Sequence, residues 1–136
     1  MTTIYPTKEE ILETQPKFSG DTIKIILEWK AKHIKTWNQI SSKKKLAKLY
    51  GLIMRLTDNK VHIKTKSRAY YYNPTTKTIY CNTSNPSIIS TLHEVSHFLN
   101  GVDELMACRW SIWLFKICFP VSYNKLKWEN HLLIKK

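Results

Sequence analysis

The sequence predicts an α+β fold. Three features of its 136 residues carry that expectation: amphipathic helical patterns before residue 58, a period-2 texture between Val61 and Cys81, and two more helical patterns beyond it. The length suits one domain with a modest core, which 43% hydrophobic and 12% aromatic residues can fill. A single domain over 1–136 is therefore expected, with a helical part (1–58), a central part (60–120) and a tail (121–136).

In chain order, Thr7 followed by Lys8-Glu9-Glu10 predicts a capped helix over about 8–15. Gly20-Asp21 opens a second, with Ile23, Ile26, Leu27, Ile34 and Trp37 on one face. Ser41-Ser42 caps a third, whose stripe is Leu46, Leu49, Tyr50, Ile53 and Leu56 and which ends near Asp58-Asn59. Val61–Lys66 alternates as a strand does. Arg68–Tyr72 and Thr78–Cys81 flank the turn Asn73–Lys77, so a small three-stranded antiparallel ribbon is expected. Asn85-Pro86 supplies an N-cap and first-turn proline for a helix that runs to Gly101. Asp103 caps a long helix that stops before Pro120, and Lys125–Lys136 reads as a further short helix.

Charge is one-sided: 22 Lys+Arg against 10 Asp+Glu, a net +12. A lysine-rich solvated surface explains this, and so does an acidic partner or nucleic acid. Cys81, Cys108 and Cys118 form no CxxC pair, and an odd count is a poor disulfide framework. The first residues carry acids early and no apolar run. The longest apolar stretch, Leu105–Val121, is broken by Arg109 and Lys116, too short and charged for a membrane span. A cytoplasmic protein without a membrane span is expected.

His93-Glu94-Val95-Ser96-His97 is an HExxH pattern. On a helix, residues i and i+4 lie one turn apart on one face, so both imidazoles can reach one Zn²⁺. Glu94, rotated aside, is placed to take a proton from water as general base. Ile88, Leu92, Val95 and Leu99 form a core face, and the histidines fall on a neighbouring one. A catalytic zinc needs a third protein ligand, and Glu104 is the choice. It opens the next helix on a face with Ala107, Cys108 and Ser111, and small Ala107 and Ser111 allow close helix approach. Only six residues separate it from His97, so Gly101 must turn the chain sharply. Asp103 is the nearest competing ligand but suits the cap, and His62 and His131 are outside candidates.

This order of elements resembles the gluzincin class of metallopeptidases, in particular the minigluzincins. Glu104-Leu-Met-Ala107-Cys-Arg-Trp110-Ser111, with Leu114 and Phe119-Pro120 beyond, is also similar to the E-x-x-A-x-x-F-A…P signature of ImmA/IrrE-type peptidases. The resemblance covers about residues 60–120, which would then be the catalytic core. It implies a zincin-like fold with an active-site helix and a glutamate helix. It also implies one Zn²⁺ per chain on His93, His97 and Glu104, with Glu94 as general base. The implied activity is hydrolysis of a protein or peptide. The resemblance further implies that strand Thr78–Cys81, with a free edge, accepts substrate, and that a Tyr or His steadies the oxyanion, for which Tyr123 and His131 are candidates. Latent forms with a terminal segment in the cleft are implied too; the rival expectation is that the tail simply packs on the core through Trp128, Leu132 and Leu133. The competing expectation is a basic nucleic-acid-associated protein with a structural or inactive zinc site, or a peptidase acting on DNA-bound proteins.

Overall fold

The computed structural model describes residues 6–129 and, for the backbone, 132–135. Helices α1 (Lys8–Glu13), α2 (Gly20–His33) and α3 (Ser42–Leu56) come first, with a 3-10 turn, Ile34–Gln39, between the last two. Each helix starts on a hydroxyl cap. Thr7 and Glu10 form a reciprocal capping box, Ser19 accepts from the amide of Thr22, and Ser41 from that of Lys44. Asp58 and Asn59 take left-handed backbone (φ 55° and 57°), and the Asn59 amide closes α3 on the Met54 carbonyl at 2.8 Å.

Strands β1 (His62–Lys66), β2 (Tyr71–Asn73) and β3 (Thr78–Asn82) form a sheet in the order β1-β3-β2. The β2–β3 hairpin is antiparallel, as expected, and Asn73 Oδ1 holds its turn through the amides of Thr75 and Thr76. The expected antiparallel ribbon is corrected on its other side, because β1 pairs parallel to β3 and the sheet is mixed. After β1 the chain passes the end of β3 instead of folding back on β1. Arg68 turns it there in left-handed backbone (φ 64°), its amide bound to Asn82 Oδ1 at 3.1 Å. Alternation reveals a strand but not which neighbour it pairs with.

Helix α4 (Ile88–Asn100) is capped by Ser87, not by Asn85. The Ser87 hydroxyl accepts from the Ser90 amide, while the Asn85 amide is spent on Asn82 Oδ1. Asp103 caps α5 (Glu104–Cys118) as expected. Ala107 and Ser111 are buried where α5 lies on α4, and the Ser111 hydroxyl returns its proton to the Ala107 carbonyl at 2.8 Å. Helix α6 (Pro120–Asn124) follows. The tail is then a hairpin, β4 (Leu126–Glu129) with β5 (Leu132–Lys135), not a helix. Leu126 and Trp128 are half-buried and alternate with exposed Lys127 and Glu129, a period of two that suits a strand.

The main core joins Ile26, Trp29, Leu49 and Ile53 to Ile79, Leu92, Val95, Leu114 and Phe119. Tyr50, Leu27 and Leu99, expected on core faces, are instead 51%, 44% and 44% exposed, and on α3 Leu52 is buried where Tyr50 is not. A second cluster, Ile11, Cys108 and Ile112, is covered by Trp128 and Tyr123. Helix α1 is tied to the back of α5, where Arg109 and Trp113 donate to the carbonyls of Glu10 and Ile11. No helix among the described residues is long and apolar enough to cross a membrane.

Candidate metal centre

Helix α4 sets His93 and His97 one turn apart, with ring centroids 4.9 Å from each other. The short link to Glu104 works because Gly101 adopts φ 95°, ψ −168°, a conformation essentially reserved for glycine. The turn brings Glu104 back over the histidines. Its Oε1 lies 2.7 Å from His97 Nε2 and its Oε2 lies 3.2 Å from His93 Nε2. His93, His97 and Glu104 thus form a group whose ligand atoms all fall within 4.8 Å of one another and that could hold a metal ion.

The hydrogen bonding around His97 tests that fit. A carbonyl has no proton to give, so His97 Nδ1 donates to Gly101 O at 2.9 Å. A neutral ring held this way would point the lone pair of Nε2 at a carboxylate oxygen. Two lone pairs facing each other call for a cation between them, either a proton or a metal. Tetrahedral ligands at zinc distances stand about 3.3 Å apart, which matches the His93–Glu104 spacing and exceeds the His97–Glu104 spacing by about half an ångström. Two imidazole nitrogens and a carboxylate are a donor set of the kind that holds a metal.

Glu94 is 7% exposed and stands outside the donor group. Burial pushes its carboxyl up to about 7; the negative Glu104 adds to this, while His97 and the Tyr72 amide oppose it. Burial likewise lowers the pKa of His93, favouring the neutral ring that a metal requires. Cys108 Sγ faces His93 Nδ1 at 4.0 Å; burial pushes the thiol up to about 12, so it stays protonated.

The group opens into a cleft of about 450 Å³, lined also by Tyr70, Tyr71, Tyr72, Pro74 and Val102. The tyrosine run thus borders the cleft, which alternation alone could not disclose. Tyr70 spans core and cleft: its hydroxyl accepts from the Ser87 amide at 2.9 Å and from the Thr91 hydroxyl at 3.3 Å.

Other expected residues fall elsewhere. The Asp103 carboxylate is engaged by the amides of Leu105 and Met106. His62 lies in a separate, larger groove along β1. Tyr123 accepts from Trp128 Nε1 at the second cluster and does not line the cleft. His131 lies outside the described residues. Thr78–Cys81 has no free edge, since β3 is the central strand; the edge strand beside the cleft is β2. No described residue of the tail lines the cleft. Searches against family models, curated proteins and solved structures find no match to this chain.

Proposed function

We propose that the chain is a zinc-dependent peptidase of the gluzincin type with a zincin-like fold. One observation carries the reading: two imidazoles and one carboxylate converge in a cleft beside a buried carboxyl that is not part of the donor set. Two nitrogens and one oxygen suit zinc and leave a coordination position open. Bound there, zinc would acidify a water and polarise a peptide carbonyl. Glu94 takes the proton of the attacking water on its carboxylate and passes it to the leaving amine nitrogen. Without the metal, burial pushes this carboxyl up to about 7, close to neutral pH. The His97–Gly101 bond keeps the Nε2 lone pair aimed into the cleft. An extended peptide would lie along β2, the edge strand at the rim. Cys81, Cys108 and Cys118 are free and buried, which suits a reducing, cytoplasmic setting.

The charge distribution favours a compatible second reading, a peptidase whose substrates sit on nucleic acid. The test is metal analysis beside a general peptide-hydrolysis assay. Wild-type protein should carry about one zinc per chain. Glu94→Gln should keep that zinc and lose at least about 100-fold in turnover. Purified protein that takes up no zinc, or a Glu94→Gln variant with full turnover, would overturn the reading.

A further inference from the structure

The net charge is not spread along the chain. Residues 29–93 hold thirteen Lys/Arg and a single acid, Asp58, while the rest of the chain holds nine of each sign. The whole excess of +12 therefore sits on the segment that contains α3 and the three-stranded sheet.

Within that segment the sheet has two unlike faces. Ile79 and Cys81 of β3 point into the core. The opposite face carries exposed His62, Lys64 and Lys66 from β1, in register with Thr78, Tyr80 and Asn82 of β3. Tyr71 of β2 sits opposite Tyr80, and the two rings stack with centroids 4.3 Å apart and planes 12° from parallel. Lys66 Nζ lies 5.1 Å from the Tyr71 ring centroid and 3.4 Å from its hydroxyl. Beside β1 runs a groove of about 850 Å³, lined by Lys60, His62, Lys64, Tyr50 and Thr76 among others, with no acid in its lining.

We propose that this outer sheet face and the β1 groove bind single-stranded nucleic acid. The cations are placed to neutralise phosphates, and charge complementarity selects a polyanion. The stacked tyrosines select among polyanions, because an unpaired base extends an aromatic stack and a paired base inside a duplex does not. As a base arrives, Lys66 moves from the Tyr71 ring to a phosphate. Tyr71 also lines the metal cleft, so a bound strand would lie at its rim. The binding does not depend on hydrolysis, and Glu94→Gln should retain it.

The experiment is fluorescence anisotropy with labelled oligo-dT and oligo-U of about 15 nucleotides, within the span such surfaces cover. A duplex of equal length and heparin serve as competitors. The single strands should bind at least about tenfold tighter than the duplex, with affinity falling as salt rises. Lys64→Glu with Lys66→Glu should lose at least about tenfold and flatten the salt dependence. Tyr80→Ala should lose about 5- to 100-fold, and Tyr80→Phe, which keeps the ring, should bind as wild type does. Thermal melts confirm that each variant is folded, and the paired lysine variant reports independently if Tyr80→Ala is not. Absence of binding overturns the proposal. So does duplex or heparin binding as tight as single-strand binding with Tyr80→Ala unaffected, since charge alone would then explain it.

Discussion

His97 Nδ1 donates to the carbonyl of Gly101, 2.9 Å away, so the second histidine of the HExxH pattern is aimed by the residue that turns the chain toward Glu104. The same glycine ends α4 by returning its amide to the His97 carbonyl at 3.2 Å. One residue thus fixes the tautomer of one candidate ligand and the position of another.

Gly101→Ala tests that coupling. A Cβ there meets nothing within 4 Å, so crowding is not the issue, but φ 95° is strained for any side chain. The expected cost is about 1–3 kcal/mol of stability by denaturant unfolding. Zinc affinity should fall by about 10- to 100-fold, the scale for groups that orient ligands. Wild-type stability and affinity in this variant would show that the turn does not constrain the site.

Asp103 and Glu104 are adjacent acids with opposite expected signatures. Asp103 satisfies two first-turn amides, so Asp103→Ala should cost about 1 kcal/mol in stability and keep the zinc. Glu104→Ala should lose the zinc at little cost to the metal-free fold, because it separates a carboxylate from two histidines without opening the core. Metal analysis beside chemical unfolding reads both. Zinc lost from the Asp103 variant and kept by the Glu104 variant would exchange their assignments.

The HExxH trio, the Glu104 partner and the caps at Thr7, Ser41 and Asp103 were all legible in the sequence. The trio and the caps are local patterns of fixed spacing, whereas Glu104 reaches the histidines only through the turn at Gly101. What was not legible depends on distant partners. The parallel β1–β3 pairing goes with a crossing at which the Arg68 amide meets Asn82 Oδ1, fourteen residues on. Ser87 rather than Asn85 caps α4 in a setting where the hydroxyl of Tyr70, seventeen residues back, takes the Ser87 amide. The tyrosines of β2 become cleft residues only because the sheet docks beside α4.

Glu94 makes the metal-free protein sensitive to pH. Its folded pKa of about 7 lies above the ordinary 4.5, so the folded state binds this proton more tightly than the unfolded chain does. The stability it contributes is full below about pH 4.5 and is lost as pH rises to about 7. A shift of this size corresponds to about 3 kcal/mol. In chelator, Glu94→Gln should therefore be more stable than wild type at pH 8, with the advantage shrinking toward pH 5. An equal difference at both pH values would mean that Glu94 is not held protonated by burial.

The last expectation concerns the tail, which the resemblance to latent peptidases would place in the cleft. Trp128 instead covers Ile11, Cys108 and Ile112 on the side where α1 meets α5, and it donates to the Tyr123 hydroxyl at 3.2 Å. Covering apolar surface there stabilises the fold, and it leaves the donor group open to the cleft. Trp128 is only half-buried, so Trp128→Ala should cost about 1–3 kcal/mol, less than a fully buried tryptophan does. A chain ending at Pro120 should be destabilised further, since it also gives up the contacts of Tyr123 and Leu126 with the core. A tail that plugged the cleft would behave differently, because removing it would raise turnover per zinc-loaded molecule. Hydrolysis of a generic protein substrate, normalised to bound zinc, separates the two. Unchanged or lower specific turnover, with earlier unfolding, is expected of a tail that belongs to the core. A rise in specific turnover without loss of stability would assign it to the cleft.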